Sequence, residues 1–264
     1  MRTMWIGGNH GRHFYFAGAL AKQRFPLAGC IIVGREGMIP APPAGISDHD
    51  ALNFVRHFGA RGEAEQRWFS AQSPPDVPTL RLPMERLNSM EAVEFVRDIA
   101  PDVVFILGSG LIKDPLAAAL PRETINLHLG LSPRYRGAAT LFWPFYFQEP
   151  NWAGTTFHYI VAEPDAGPIV HQVVPPLDPN DGIHDVACKA VIHSAAAVEP
   201  LLGVLAELGA WKTGPQKRVG RTFFMTDFRP SHLRVNYDLF GDRMAKAYLE
   251  GDLLCRAPPL FKQF

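Results

Sequence analysis

Cysteine is scarce in this chain of 264 residues, with only Cys30, Cys188 and Cys255 spread along it. Their number is odd, and no two of them stand at the short spacing of a metal-binding pair. The sequence therefore predicts neither a disulfide framework nor a zinc site, and we expect no bound metal. A reducing compartment such as the cytoplasm fits this cysteine content.

Net charge is also missing, because 26 lysines and arginines balance 26 aspartates and glutamates. A protein that grips a nucleic-acid backbone usually has a basic surface, since phosphate contacts supply most of its affinity. The chain holds no run of 18 uninterrupted apolar residues, and its first residues contain no signal-peptide core. We therefore expect a cytoplasmic protein with a small-molecule partner rather than a membrane or a nucleic acid.

A G-x-G-x-x-G motif is absent too, although glycines cluster in Gly7-Gly8-Asn9-His10-Gly11 after the first predicted strand. Such a cluster lets the backbone approach a phosphate in front of a helix N-terminus. It equally serves as a plain tight turn, which is the commoner use of glycines at this spacing. Both interpretations stay open from the sequence.

What the chain does contain is an alternation of apolar strand patterns with amphipathic helix patterns. The strand patterns cover residues 2–6, 27–33, 79–82, 103–107, 154–161 and 168–174. The helix patterns cover residues 14–23, 48–69, 88–100, 114–120 and 181–208. This order predicts an α/β fold, with a Rossmann-like, mostly parallel sheet between flanking helices.

Two domains are predicted, a larger one over residues 1–208 and a small C-terminal appendage over residues 209–264. Within the appendage we expect a hairpin around Arg218 to Phe228 and an amphipathic helix from about Tyr237 to Leu249. About 55 residues are too few for a robust core of their own.

Three polar residues near the middle of the chain are candidates for catalysis. Asn126 and His128 alternate at the end of a predicted strand, so their side chains project to one side, and Asp165 stands on a predicted turn. An amide can donate to an oxygen, an imidazole can hold or pass a proton, and a carboxylate can orient the imidazole. Taken singly, Asp165 is equally a turn former and His128 a structural histidine. We interpret His184 and His193 as ordinary surface side chains.

Short motifs surround these three residues and follow one another in a characteristic order. N-x-H at Asn126 is followed by P-x-Y-R-G at Pro133, G-x-T-x-H at Gly154 and D-x-G-P-I at Asp165. This order and spacing resemble the formyltransferases that use 10-formyltetrahydrofolate, which act on methionyl-tRNA, glycinamide ribonucleotide or amino sugars. The family commonly has a serine two residues after the histidine, where this chain has Gly130. We expect Gly130→Ser to lower activity less than substitution of a catalytic residue, because it restores the commoner family residue.

The resemblance implies a role for each matching position. Asn126, His128 and Asp165 correspond to the family's catalytic residues, which would stabilise an oxyanion and move a proton without a metal or a covalent nucleophile. The implied cofactor contacts are Ser109, Gly110, Leu111, Ile112, Ala162 and Asp165. The implied substrate contacts are Asn9, Tyr135, Arg136, Gly137, Trp143 and His158. From the residues alone, the Ser109 loop could be a simple connection, and Trp143 with its neighbouring phenylalanines could be core.

The implied function is transfer of a formyl group from 10-formyltetrahydrofolate to a nucleotide-linked amino sugar. Examples are GDP- or dTDP-linked 4-amino-4,6-dideoxy sugars, such as GDP-perosamine, for the O-antigen of surface lipopolysaccharide. The balanced charge and a C-terminal segment shorter than the β-barrel of the tRNA enzymes favour this acceptor. The alternatives are a methionyl-tRNA or glycinamide ribonucleotide formyltransferase, and a non-catalytic folate or nucleotide binder. The oligomeric state is left open, with a homodimer as one option.

Overall fold

A seven-stranded sheet is the centre of the computed structural model, which describes residues 1–34, 37, 39–216 and 220–264. Its strands follow the order β3-β2-β1-β4-β5-β7-β8. They are β1 Thr3–Gly8, β2 Leu27–Val33, β3 Thr79–Leu82, β4 Val103–Leu107, β5 Glu123–His128, β7 Thr155–Tyr159 and β8 Ile169–Val173. The first five are parallel, and β7 and β8 are antiparallel to their neighbours. The predicted α/β fold is confirmed.

Seven α-helices accompany the strands within the described residues. They are α1 Gly11–Lys22, α2 Asp48–Phe69, α3 Met90–Ile99, α4 Leu116–Ala119, α5 Trp143–Tyr146, α6 Ile183–Leu208 and α7 Met244–Glu250. Helix α2 has the predicted bounds, and the Oγ atom of Ser47 accepts a hydrogen bond from the Asp50 N–H at its start. Ser47 therefore caps this helix, as serine commonly does.

The helices cover both faces of the sheet. On one face, α1 and α6 pack residues such as Phe16 and Leu202 against Phe105 and Phe157. On the other face, α3 packs Val93 and Val96 against the opposite side of the same strands. Strand β4 is buried along its whole length, which explains its unbroken apolar sequence.

Helix α6 is long and apolar enough to cross a membrane by length and composition alone. Half of its most apolar window is buried inside the protein, where the helix contacts α1 and α2. A core helix of a globular protein meets the same criteria.

Among the described residues of the predicted C-terminal hairpin, no two strands pair with each other. Residues 217–219 lie outside the described part of the chain, and the strand that follows, β9 Arg221–Phe223, pairs in parallel with β6 Tyr135–Gly137. A short 3-10 helix, Met225–Asp227, follows β9 in place of a second strand. The predicted helix is also interrupted, because a π-helical turn at Val235–Leu239 precedes α7.

The C-terminal segment shares its core with the rest of the chain. Phe223, Leu233 and Tyr237 pack in one cluster with Trp143 and Phe54. The division into residues 1–208 and 209–264 stays a proposal. Under this division, both parts contribute side chains to one apolar cluster.

This shared cluster leads to a prediction about stability. Trp143 is 3% exposed and stacks on Phe223 at 4.5 Å between ring centroids, so Trp143→Ala should lower the free energy of unfolding by about 3–5 kcal/mol. Chemical denaturation measures this change and should show one transition for both segments. Leu254→Ala removes a fully exposed side chain and should change stability by less than about 0.5 kcal/mol. A loss below about 1 kcal/mol for Trp143→Ala would contradict the shared core.

Candidate active site

A cavity of about 530 Å³ opens at the carboxyl ends of β1, β4 and β5. This is the edge where the chain leaves β1 and β4 in opposite directions across the sheet, and such an edge is the usual ligand site of α/β folds. Its wall includes Asn126, His128 and Asp165. The predicted catalytic residues therefore meet on one surface.

Asp165 lies at the centre of this group. Its Oδ1 atom is 3.4 Å from the Nδ2 atom of Asn126, 3.4 Å from the Nδ1 atom of His128 and 3.5 Å from the Nε2 atom of His158. Its Oδ2 atom accepts a hydrogen bond from the Gly137 N–H at 3.2 Å. The residue has a φ of 53°, a left-handed conformation that Asp tolerates in turns. One carboxylate thus contacts all three of these side chains and a backbone N–H.

The Asp165 carboxylate is held in its ionised form. Burial alone would raise its pKa, but the neighbouring His158 and His128 rings and the Gly137 N–H together bring the pKa below its ordinary value. The site therefore has a fixed negative charge at neutral pH.

His128 is buried. One of its ring nitrogens is hydrogen-bonded to the backbone, and the other faces Asp165. Its Nε2 atom lies 3.0 Å from the carbonyl oxygen of Tyr135, which can only accept, so Nε2 carries the proton. Burial lowers the pKa of the imidazole, and the charge of Asp165 opposes that effect. Because the net shift is downward, the ring is neutral at pH 7 and its Nδ1 atom can take up a proton beside the Asp165 carboxylate.

His158 lies behind Asn126 on the neighbouring strand. The register of β5 and β7 places the two residues directly opposite each other. The Nδ1 atom of His158 is 2.8 Å from the Tyr159 carbonyl oxygen, which leaves Nε2 to accept from the Nδ2 atom of Asn126 at 3.1 Å. His158 therefore orients the Asn126 amide, and it is not among the residues that line the cavity.

Comparison with known proteins identifies the family behind this geometry. The family model described as "Formyl transferase" matches residues 61–197, which is more than half of the chain. The chain belongs to the formyl transferase family.

A curated relative is the methionyl-tRNA formyltransferase of Mycobacterium sp. (strain KMS), with 31% identity over 167 residues. The match covers 62% of this chain and 52% of the relative, so the chain spans about half the length of that protein.

Two solved structures share the fold at 16% sequence identity. Phosphoribosylglycinamide formyltransferase from Anaplasma phagocytophilum has a TM-score of 0.56, covering 85% of this chain and 97% of its own. The formyltransferase PseJ from Anoxybacillus kamchatkensis has a TM-score of 0.50, covering 93% and 97%. PseJ was solved in complex with UDP-4,6-dideoxy-4-formamido-L-AltNAc and tetrahydrofolate.

The expected cofactor residues of this formyl transferase divide into two groups. Ser109 and Gly110 line the cavity together with Asp165. Leu111 and Ala162 are exposed and Ile112 packs on the core beneath the sheet, so none of these three lines the described cavity.

The positions of Tyr135 and Trp143 contradict the expectation that these aromatic side chains contact the substrate. Tyr135 is 1% exposed and its hydroxyl donates to the Oε2 atom of Glu149, while the Nε1–H of Trp143 donates to the Ala138 carbonyl oxygen. Both rings lie in the core that joins the C-terminal segment, because large flat side chains gain most from burial there. They are not available for stacking on a ligand.

The remaining expected substrate residues are also placed by the structure. Gly137 lines the cavity, whereas Asn9 is exposed after β1 and outside the lining. The Arg136 guanidinium is largely buried, with its Nη1 atom 3.8 Å from the Oε1 atom of Glu163. Of this set, only Gly137 faces the cavity.

His184 is the main residue that the sequence interpretation missed. It lines the cavity from the first turn of α6, with its ring 4.4 Å from that of His57, while His193 is exposed as expected. The signal was present, because the buried Cys188 and Val191 follow at helical spacing on the same face. Burial lowers the pKa of His57 to about 3 and that of His184 well below its ordinary value, so both rings are neutral.

The packing around Gly130 explains why this chain has a glycine where the family commonly has a serine. A Cβ atom at this position would lie 2.6 Å from the Tyr135 carbonyl oxygen, 2.6 Å from the Thr140 Cβ atom and 2.7 Å from the His128 Nε2 atom. A serine at this position would therefore require a backbone oxygen or one of two buried side chains to move.

This crowding gives a testable consequence. Gly130→Ala should destabilise the protein by about 1–3 kcal/mol, because overpacking forces the His128 ring or the Tyr135 backbone to move. Gly59→Ala is the matched control, since its Cβ atom meets nothing within 4 Å and alanine favours the helix by about 0.5–1 kcal/mol. Thermal and chemical unfolding of both variants measures the difference. Equal stability of Gly130→Ala and the parent chain would contradict the close packing around His128.

Proposed function

We propose that this protein transfers a formyl group from 10-formyltetrahydrofolate to the amine of a nucleotide-linked amino sugar. The observation that carries the proposal is the convergence of Asn126, His128 and His158 on the single carboxylate of Asp165 at the cavity wall. Membership of the formyl transferase family supports the reaction type. The ligands of PseJ, a relative of the same fold, support the donor and the acceptor class.

The cavity has a feature that fits a flat cofactor. Gly108 and Gly110 follow β4 with φ values of 68° and 94°, and a Cβ atom on either would press on His13 or Met84. Glycine thus keeps the strand end open beside Ser109, where a ligand can approach the backbone closely. When bound there, 10-formyltetrahydrofolate supplies an activated formyl carbon and a nitrogen that leaves.

Asn126 is placed to stabilise negative charge on the formyl oxygen. One N–H of its amide bonds to His158 at 3.1 Å, and the other points toward Asp165 at the longer distance of 3.4 Å. The longer contact is the weaker one, so this second N–H is the donor that a ligand oxygen would recruit. Loss of such a fixed donor typically costs about 100 to 1000-fold in rate.

His128 is placed to accept the proton that the attacking amine loses. Its neutral Nδ1 atom is the basic nitrogen, since Nε2 is bonded to the Tyr135 carbonyl. The imidazolium that results lies 3.4 Å from the ionised Asp165, which stabilises the new positive charge. The proton can then return to the leaving nitrogen, so the amine loses one proton, the leaving nitrogen gains one and the residues end unchanged.

Fewer observations bear on the acceptor than on the formyl donor. A nucleotide-linked amino sugar, for a surface polysaccharide, agrees with the balanced charge of the chain. The second candidate is methionyl-tRNA, which the 31% identity to the Mycobacterium sp. (strain KMS) enzyme favours. A tRNA acceptor would make affinity fall steeply with salt, whereas an amino sugar with few phosphates would not.

An assay panel tests both the activity and the acceptor. Purified protein with 10-formyltetrahydrofolate should formylate at least one of the dTDP-, GDP- or UDP-linked amino sugars faster than methionyl-tRNA or glycinamide ribonucleotide. His128→Asn and Asp165→Asn should each lower kcat by about 100-fold, with little change in KM, because the proton relay is lost. The double variant should be scarcely worse than either single variant.

His158→Asn is the control for a neighbouring histidine that positions rather than relays, and it should lose less activity. Retention of most kcat by His128→Asn together with loss of activity in His158→Asn would reverse the assignment. Turnover of methionyl-tRNA with no turnover of any amino sugar would refute the acceptor class.

A further inference from the structure

Three polar side chains form a row across the sheet that begins at the active site. They are His128 of β5, Thr156 of β7 and Gln172 of β8, and the strand register places each one directly opposite the next. Residues that face each other across paired strands project to the same side of the sheet, so the three buried side chains share one face. Thr156 is the threonine of the G-x-T-x-H motif, and the proposed chemistry gives it no part.

The Thr156 hydroxyl holds the loop that follows His128. We name residues 129–134, which connect β5 to β6, the return loop. The Oγ1 atom of Thr156 donates to the Gly130 carbonyl oxygen at 2.7 Å and accepts from the Ser132 N–H at 3.0 Å. A hydroxyl offers one donor and two acceptor sites, so two of its three sites are bonded to the backbone of the return loop.

Gln172 fastens the same loop from the next strand. Its Nε2 atom donates to the Ser132 carbonyl oxygen at 2.6 Å and to the Oγ1 atom of Thr156 at 3.2 Å. Its Oε1 atom accepts from the Phe261 N–H at 3.0 Å, and the Gln172 N–H donates to the Phe261 carbonyl oxygen at 2.8 Å. Because every donor and acceptor of this buried amide has a partner, the row is a rigid support for the loop.

The return loop leads directly to the atom that fixes the tautomer of His128. The Tyr135 N–H donates to the Leu131 carbonyl oxygen at 2.9 Å, and the Tyr135 carbonyl oxygen lies 3.0 Å from the Nε2 atom of His128. On the other side of the ring, Nδ1 is 3.4 Å from the Oδ1 atom of Asp165. Both neighbours are acceptors, and a neutral imidazole has a single proton for the two. If the Tyr135 carbonyl moved away, the proton would pass to Nδ1, where it would face Asp165.

We propose that Thr156 and Gln172 are positioning residues that hold the return loop, so that the Tyr135 carbonyl keeps the proton of His128 on Nε2. Neither side chain lines the cavity, and both act on His128 through the loop. The consequence of the tautomer for turnover rests on the proposed function. The tautomer itself is a property of the folded chain and is measured without substrate.

A matched pair of variants tests the inference. Thr156→Val keeps the shape of the side chain and removes the hydroxyl, so the return loop loses two hydrogen bonds. Nitrogen NMR of the imidazole resonances, assigned by comparison with His128→Asn, should show the Nε2–H tautomer in the parent chain and a shift to Nδ1–H in Thr156→Val. We expect kcat to fall at least about 10-fold with little change in KM, because an imidazole in the wrong tautomer cannot accept the proton at Nδ1. Thr156→Ser keeps the hydroxyl and should keep the parent tautomer and most of the activity.

Thr155→Val is the control for a purely structural effect. Thr155 precedes Thr156 on the same strand, is equally buried, and its hydroxyl is 2.6 Å from the Ser194 hydroxyl of α6. Its side chain projects to the opposite face of the sheet, as alternation along a strand requires. Removal of this hydroxyl should lower stability to a similar degree as Thr156→Val, while the tautomer of His128 and kcat stay those of the parent chain.

Three results overturn the inference: an unchanged tautomer in Thr156→Val, an equal shift in Thr155→Val, or a shift in Thr156→Ser as large as in Thr156→Val. If Thr156→Val does not fold, Gln172→Met replaces it, because it removes both amide donors at a similar side-chain length. An unchanged tautomer in Gln172→Met overturns the inference as well.

The inference and the proposed function fail in different ways. A shifted tautomer in Thr156→Val, in a protein that formylates no amine, supports the inference and refutes the proposed function. A shifted tautomer with unchanged kcat supports the inference and refutes the role of the His128 Nδ1 atom as the base. An unchanged tautomer in an active formyltransferase overturns the inference and leaves the proposed function in place.

Discussion

A single, largely buried carboxylate determines how this site is built. Asp165 must be compensated because a buried charge is costly when unpaired, and Asn126, His128, His158 and the Gly137 N–H surround it. Asp165 lies in the connection between β7 and β8 and has a left-handed backbone conformation. The antiparallel pairing of β5 and β7 brings the amide and both imidazoles to it. The register of the sheet thus fixes the positions of the groups that the chemistry of the site requires.

The C-terminal segment, which lies outside the main sheet, also helps to hold Asp165 in position. Strand β9 pairs with β6, and the Ala138 N–H donates to the Phe223 carbonyl oxygen at 2.8 Å, next to the glycine whose N–H holds Asp165. Phe228 extends the segment to the cavity wall. Burial of Phe223 and Tyr237 in the shared core therefore supports the geometry of the carboxylate as well as stability.

Periodicity and short motifs predicted most of the framework. The bounds of β2, β3 and β4 agree with the apolar patterns. For β2 and β4, burial of nearly every residue leaves little freedom in the sequence. Strand alternation placed Asn126 and His128 on one side, and the resemblance to the formyltransferases added Asp165 to them. The partner of β9, the burial of Tyr135 and Trp143, and the position of His184 depend on contacts between distant segments, which no local pattern encodes. Gly130 belongs to the same class, since its space is filled by residues that follow it in the loop and by the His128 ring.

The central claim is that Asp165 sets the protonation of a buried, neutral His128. NMR titration of the imidazole resonances, assigned by comparison with His128→Asn, tests it most directly. Burial lowers the pKa and Asp165 raises it, so we expect a value below 6.5 in the parent chain and a lower one in Asp165→Asn, with no change in the control Asp98→Asn at an exposed position of α3. A pKa at or above 6.5 in the parent chain, or one that rises when the carboxylate is removed, would contradict the account.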